Sequence, residues 1–238
     1  SMRGKILIVT GDAGESYEAL YAIHRLREAG YEVAVGAPSK RRLHLVAHDF
    51  EPGWDTYIER QGYGVEADVA FGAAVAEDYT AVLVLGGRAP EYLRHDAGLI
   101  TLVQQFSNLN RWVFAICHGI QVLIAAGLVK GRRVTCYEHV RNEVELAGGV
   151  YCTDQAVQDG MFVTAQTWQS HPEFYREVLR CLGSPEGQTK VIASAGRRTF
   201  HRETCDWGQS ISRHDLVEWE NREGAIADGS LPCKTCLA

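Results

Sequence analysis

Cysteine and histidine are the side chains best suited to nucleophilic and metal chemistry near neutral pH. This sequence places them in two separate groups. The first is Cys117-His118, which follows the apolar run Trp112-Val113-Phe114-Ala115-Ile116 and precedes Gly119-Ile120-Gln121-Val122-Leu123. A short apolar run bounded by Arg111 and Cys117 reads as a buried parallel strand, and the residues after it read as an apolar helix that Gly127 can end. Cys117 then stands on the turn between them. A helix N-terminus carries unsatisfied N–H groups and partial positive charge, which favour thiolate over thiol and can hold an oxyanion. That is a position for a nucleophile. The competing reading is a small core residue, because free cysteine is among the most buried types.

The second group lies near the C-terminal end, where His201-x3-Cys205 is followed at a distance by Cys233-x2-Cys236. One histidine and three cysteines in two close pairs, in a piece too small to build its own core, match a tetrahedral Cys3His zinc site. Zinc–ligand bonds then stabilise the module directly. Incidental thiols on a frayed terminus would not show this paired spacing. Between the pairs, Leu216–Trp219 reads as a strand and Glu223–Ala227 as a short helix before Gly229.

The elements that must position the first group begin with an apolar strand over Lys5–Thr10, which runs into Gly11-Asp12-Ala13-Gly14-Glu15. Ser16 is read as the cap of a helix with apolar Leu20, Ile23 and Leu26, and Gly30 closes it. Glu32–Ala37 is a second strand, so the chain opens as βαβ and the sheet is parallel. Function in such sheets gathers at the carboxyl ends of the strands, and Glu15 lies just beyond that edge. Ala81–Leu85 is another strand, and it runs into Gly86-Gly87-Arg88-Ala89-Pro90-Glu91. Paired glycines there let backbone N–H groups approach a ligand, giving a second half to an oxyanion hole, or they make only a tight turn.

A helix is expected over Asp96–Leu109. Between the second strand and Ala70, alternating pieces near His44–Phe50 and Val65–Phe71 suggest an added hairpin, with His44, His48, Asp49 and Trp54 read as a polar loop that could cover the site. Further short strands are expected at Arg133–Cys136, Val150–Thr153 and Met161–Ala165, with a helix over Glu138–Leu146. His171-Pro172 opens a last helix to about Leu182, with His171 an N-cap or a site residue, capping or packing being the favoured reading. Ser184–Gln188 reads as a linker, dividing a domain over 2–183 from a module over 189–238.

Composition narrows the function classes. The 238 residues carry a net charge of −6, with a pI near 5.8. That gives no general attraction to nucleic acid or to anionic membranes. No apolar run approaches the ~20 residues that span a bilayer, and Lys5 onward shows no signal-peptide pattern, so the expected location is cytoplasmic. Seven cysteines, an odd number, point to thiol or metal chemistry more than to a disulfide framework. From Ser184 onward Lys and Arg do not outnumber Asp and Glu, so the module shows no basic face for nucleic acid.

Three separated motifs carry a resemblance: Gly11-Asp12 through Glu15 to Glu18, Gly86-Gly87-Arg88-Ala89-Pro90-Glu91-Tyr92-Leu93, and Ala115-Ile116-Cys117-His118-Gly119. Over about Lys5–Gly183 the chain resembles the ThiJ/PfpI superfamily. Ala47-His48-Asp49-Phe50 with Thr56-Tyr57, and Ser170-His171-Pro172-Glu173-Phe174, are most similar to its tandem-domain, glutathione-independent glyoxalases. The resemblance implies a flavodoxin-like α/β sandwich with a mostly parallel sheet. It implies Cys117 as nucleophile, Glu15 bonded to its sulfur, His118 assisting proton transfer, and Gly87 and His118 N–H groups as the oxyanion hole. Glu91 is implied as an acid that orients the histidine, in some members across a subunit interface, and homo-oligomers (dimer, trimer or hexamer) are implied as the assembly. The tail, with Glu223–Gly229 and Pro232-Cys233-Lys234-Thr235-Cys236, is similar to the zinc module of Ada-type DNA repair proteins. His201 stands where that module has its first cysteine, so the zinc is carried over and methyl transfer is not.

The chemistry implied is a glyoxalase III-like conversion of an α-oxoaldehyde such as methylglyoxal to a 2-hydroxy acid, with no catalytic cofactor. Thiolate attack gives a hemithioacetal, Glu15 or His118 moves a proton through an enediol, and water hydrolyses the thioester. A carboxylic acid held protonated by burial suits Glu15 in that scheme. The same residues also fit a redox-sensing or stress-responsive thiol, and a cysteine hydrolase or peptidase.

Overall fold

The computed structural model describes residues 3–183, 191–202, 205–219 and 222–237. Contacts divide the chain into two compact units, 1–178 and 179–238, and each is described by itself.

The first unit starts as the sequence requires. Strand β1 (Lys5–Val9) is all apolar after its lysine, and Ile6 to Val9 have no exposed surface. Helix α1 (Ser16–Glu28) follows and buries Ala19, Ala22, Ile23 and Leu26 on one stripe. Its N-cap is Glu15 and not Ser16: the Glu15 carboxylate accepts from Glu18 N–H at 2.8 Å. Strand β2 (Glu32–Ala37) pairs in parallel with β1.

The insertion is a hairpin of β3 (Arg42–Asp49) and β4 (Ile58–Glu66), antiparallel, with an irregularity between His44 and Val46. The first arm lies where alternation places it. The second begins at Ile58, well before the expected Val65, because Ile58–Glu66 is polar, glycine-containing and mostly exposed, and carries no alternating apolar signal. Backbone bonds tie the hairpin to the loop after β1: Ala13 N–H donates to His44 C=O and Val46 N–H to Gly14 C=O, each at 2.8 Å.

Strand β5 (Val69–Ala70) returns to the sheet, and β6 (Ala81–Val84) leads through Gly86-Gly87 into the short helix α2 (Ala89–Leu93). Helix α3 (Ala97–Asn108) is capped by Asp96, whose side chain accepts from Leu99 N–H at 3.0 Å. Strand β7 (Trp112–Ile116), helix α4 (Ile120–Ala125), β8 (Arg133–Val134), α5 (Arg141–Leu146), β9 (Val150–Tyr151), β10 (Ala156–Asp159), β11 (Phe162–Ala165) and α6 (His171–Cys181) complete the order. Expected strands at Arg133 and Val150 form a separate two-stranded sheet, and β10 is an added strand that hairpins onto β11.

The main sheet has seven strands in the order β10-β11-β7-β6-β1-β2-β5, parallel except for β10. Strand order reverses at β1, whose neighbours are β2 and β6. The crevice at such a reversal is where open α/β sheets place their sites. No helix of the described residues is long and apolar enough to cross a membrane.

In the second unit, β12 (Val191–Ser194), β13 (Thr199–Arg202), β14 (Leu216–Trp219) and β15 (Leu231–Pro232) form a four-stranded sheet in the order β14-β12-β13-β15, with helices α7 (Asp206–Gln209) and α8 (Arg222–Ala227) between. Contrary to the expectation that this piece is too small to build its own core, the four-stranded sheet buries Val191, Ala193, Phe200, Ala225 and Leu237 together, with Trp219 and Cys236 packed against them.

Candidate active site

Strand β7 ends at Ile116, and Cys117–Gly119 make one tight helical turn before α4. Cys117 adopts φ +58°, the left-handed region, where a side-chain-bearing residue is strained by about 1–2 kcal/mol. The bend lifts the thiol out of the strand direction into the crevice, where it is 9% exposed. Two glycines make room. A Cβ on Gly119 would collide with Val84 C=O, and one on Gly86 would sit 2.7 Å from Cys117 Cβ and 3.1 Å from His118 N. The Gly86-Gly87 turn therefore lies directly against the Cys117-His118 backbone. Gly87 N–H has no acceptor among the described residues.

His118 Nδ1 lies 3.3 Å from Cys117 Sγ, so adjacency in sequence does not keep the imidazole from the sulfur. Burial, with His48 and His139 nearby, lowers the His118 pKa to about 4, so the ring is neutral near pH 7.

The carboxyl group beside the thiol is Glu18. Its Oε1 accepts from Gly86 N–H at 2.7 Å and sits 2.9 Å from where a Gly86 Cβ would be, while that Cβ would also touch Cys117. Glu15 instead uses both oxygens on backbone: Oε2 caps α1 and Oε1 accepts from His48 N–H at 3.1 Å. The reason is phase. Glu18 falls in helical register with buried Ala22 and Leu26, which carries it down the inner face of α1, whereas Glu15 precedes the helix. The signal available in the sequence is an acidic residue on an apolar stripe.

Burial first, then the neighbouring Glu15 charge, raises the Glu18 pKa well above the ordinary carboxyl value. Burial also raises the thiol, with Glu18 the next cause, against a lowering by the His118 N–H. Glu18 is therefore the protonated acid of the pair, and with its charge removed the largest electrostatic obstacle to a Cys117 thiolate disappears. The helix N-terminus alone does not make the thiolate.

The crevice walls are aromatic. Tyr57 packs edge-on to His118 and to Tyr137, at ring separations of 6.0 and 5.6 Å, and against His48 at 4.6 Å. His48 comes from β3, its Nε2 2.9 Å from Glu59 Oε1, which also accepts from Arg88 Nε at 2.8 Å. In place of the polar loop expected around it, His48 lies on a strand and is buried. Of the other residues read with it, Asp49 pairs with Arg60 at 3.5 Å, His44 is exposed, and Trp54 is 63% exposed. Glu91 stands exposed in the first turn of α2, and its carboxylate bonds to no described side chain. Within one chain it is not brought to His118. His171 is a packing residue: it is stacked on Tyr21 at 4.4 Å and edge-on to Tyr17 and Tyr175.

In the second unit, one ligand atom from each of His201, Cys205, Cys233 and Cys236 lies within 4.8 Å of the others, with Cys205 Sγ and His201 Nδ1 3.6 Å apart. Edges of about 3.5–4 Å are what a tetrahedron with metal–sulfur bonds near 2.3 Å requires. Arg202 N–H donates to Cys236 Sγ and Thr235 N–H to Cys233 Sγ, both at 3.4 Å, which suits thiolate ligands. These residues fit a metal ion.

Comparison with known proteins follows the same outline. The DJ-1/PfpI family profile matches residues 4–181. A DJ-1 homolog D of Arabidopsis thaliana is 37% identical over 186 residues, covering 75% of this chain and 48% of that protein. The chain thus spans about half the length of that relative. A deglycase of Pyrococcus horikoshii is 30% identical over 178 residues, covering 75% of this chain and 99% of its own. Among solved structures, a two-domain protein of Anabaena variabilis with DJ-1/ThiJ/PfpI-like and ferritin-like domains superposes with a TM-score of 0.66 at 27% identity, over 75% of this chain and 48% of that one. DJ-1beta of Drosophila melanogaster shares the fold, with a TM-score of 0.63 at 21% identity over 77% and 93%.

Proposed function

Because the chain belongs to the DJ-1/PfpI family, we propose that Cys117 is the nucleophile of a cofactor-independent enzyme that converts an α-oxoaldehyde such as methylglyoxal to its 2-hydroxy acid. The observation that carries this reading is the strained Cys117, with His118 Nδ1 at 3.3 Å and the buried Glu18 behind it. A strained, water-poor thiol with a neutral imidazole on one side and a protonated carboxyl on the other is built to move protons around a sulfur adduct.

In the first step the sulfur bonds to the aldehyde carbon, the carbonyl electron pair moves to oxygen, and the thiol's proton reaches that oxygen through Glu18 or His118. Gly87 and His118 N–H groups hold the developing alkoxide, a contribution of a few kcal/mol. Neutral His118 then takes the proton from the sulfur-bearing carbon and returns it to the neighbouring carbon, passing through an enediol to a thioester. Water hydrolyses the thioester. One carbon is oxidised as its neighbour is reduced, so no external oxidant or reductant is consumed. The role that the resemblance implies for Glu15 passes to Glu18. Exposed Glu91 suits a contact made across a homo-oligomer interface, and the Cys3His cluster suits structural zinc.

The relatives named deglycases favour a second reading, in which the carbonyl accepted by Cys117 arrives as an early adduct on an amine or thiol. The test is lactate production from methylglyoxal without glutathione, by wild type and by Cys117→Ser, alongside release of methylglyoxal-modified N-acetyl-lysine. Turnover of the free aldehyde that is lost in Cys117→Ser supports the first reading. Turnover of the adduct alone supports the second, and turnover that survives in Cys117→Ser refutes both.

A further inference from the structure

The His48 residue is held on three sides by groups that the aldehyde chemistry above does not use. Its backbone N–H donates to Glu15 at 3.1 Å, its C=O accepts from Trp168 Nε1 at 3.1 Å, and its Nε2 meets Glu59 Oε1 at 2.9 Å. Glu59 is itself anchored by Arg88 at 2.8 Å. Burial works against the Glu59 charge, but the bonds from Arg88 and His48 outweigh it and hold this carboxyl below its ordinary value. An ionised carboxylate only accepts hydrogen bonds, so Nε2 carries the hydrogen, and in the neutral ring Nδ1 carries the lone pair. Nδ1 is bonded to none of the described residues. A ring oriented through one nitrogen by a carboxylate, with the lone pair of the other nitrogen unengaged, has the composition of a general base and its orienting partner.

The ring also belongs to the aromatic cluster that reaches His118 beside the thiol. Tyr57 packs against His48 at 4.6 Å and against His118 at 6.0 Å, and His118 Nδ1 lies 3.3 Å from the sulfur. His118 and Glu18 are occupied with protons on the substrate carbons and oxygen. Hydrolysis of the thioester that follows needs an acceptor for a proton of water, and His48 has no task in the earlier steps.

We propose that His48 is the general base for hydrolysis of the acyl group on Cys117, with Glu59 and Arg88 as its positioning residues. This rests on the reading of Cys117 as a nucleophile that passes through a thioester. In the step, a water molecule loses a proton to His48 Nδ1 as its oxygen bonds to the acyl carbon. The carbon–sulfur bond breaks, the electron pair returns to sulfur, and the carboxylic acid leaves.

The probe is p-nitrophenyl acetate, which acylates the thiol with release of nitrophenolate and needs no aldehyde turnover. Acylation is read from the nitrophenolate burst. Deacylation is read by mass spectrometry of the Cys117 peptide after excess reagent is removed. In His48→Gln, deacylation is expected to slow by about 100-fold, the usual scale for a general base. Acylation should change by less than about threefold. Glu59→Gln, which keeps the side-chain shape, should slow deacylation by about tenfold with the same burst, on the scale of a partner that orients a base. Equal deacylation in wild type and His48→Gln would overturn the proposal. So would an equal slowing of both steps, or a wild-type adduct no more labile than free S-acetylcysteine. A protein that deacylates through His48 yet leaves methylglyoxal untouched keeps this inference and removes the glyoxalase reading.

Discussion

His171 gives the sharpest quantitative test of the packing that supports the site. It is 2% exposed among Tyr17, Tyr21 and Tyr175, and neither ring nitrogen has a hydrogen-bond partner. Burial alone lowers its pKa from the ordinary 6.5 to about 4. The native ring therefore stays neutral as pH falls, while the unfolded chain's histidine takes up a proton near 6.5. Between those values the unfolded state binds more protons, so stability present above pH 6.5 is lost as pH falls toward 4. Each tenfold difference in proton affinity between the native and unfolded states corresponds to about 1.36 kcal/mol, so the full loss is about 3 kcal/mol, of which about 2 kcal/mol has gone by pH 5. His171→Phe keeps an aromatic ring on Tyr21 and removes the titration. Urea unfolding of both proteins at pH 7.5 and pH 5, followed by circular dichroism and tryptophan fluorescence, should give a pH-dependent loss smaller by about 2 kcal/mol in the variant. Other buried groups, His118 among them, cancel in that difference. The same loss in both proteins would refute the assignment of His171 as a buried neutral residue.

The two glutamates at the start of α1 should separate cleanly. Glu15→Ala removes the N-cap bond at 2.8 Å and is expected to cost about 1 kcal/mol in thermal or urea unfolding. Glu18→Gln keeps a neutral side chain of the same shape but cannot pass on a proton, so methylglyoxal turnover should fall by about 100-fold while thermal unfolding changes little. Gly86→Ala puts a Cβ 2.7 Å from Cys117 Cβ, so it should destabilise by about 1–3 kcal/mol in urea unfolding and change the rate of Cys117 alkylation by iodoacetamide. In the second unit, protein prepared without added metal should contain about one zinc per chain, and His201→Ala should lower that content while leaving Cys117 alkylation unchanged. Light scattering checks the assembly: a homo-oligomer is expected, and a strict monomer would leave exposed Glu91 with no route to a histidine.

Much of this was legible in the sequence because periodicity and punctuation report local structure. The β1–α1–β2 opening, the β7–Cys117–α4 junction, the Gly86-Gly87 turn and the clustering of His201, Cys205, Cys233 and Cys236 all follow from short patterns. What escaped was decided by pairing or by phase. Strand β4 is polar and exposed, so nothing in Ile58–Glu66 announces a partner for β3. The small β8–β9 sheet exists only because Arg133-Val134 and Val150-Tyr151 meet across α5. Glu15 and Glu18 both stand near the start of α1, and only the helical register shows that the second one points inward. Likewise His48 belongs to none of the glycine-rich turns along the sheet edge, and it reaches the crevice only through the hairpin register that sets it opposite Glu59.

The site is also the place where this fold is least economical, and that bears on function. Cys117 holds a left-handed backbone, Glu18 buries a carboxyl with Oε2 unpartnered, and His118 is held neutral by burial. Each feature costs stability, and a core cysteine with an alanine-like role would need none of them. A Val or Leu at position 18 would continue the apolar stripe of α1 and remove a buried polar group, so Glu18→Leu is expected to preserve or raise thermal stability while losing methylglyoxal turnover. A large fall in melting temperature would make Glu18 a structural residue instead, satisfied mainly through Gly86 N–H. Stability gained as reactivity is lost would mark the carboxyl as one retained for its proton.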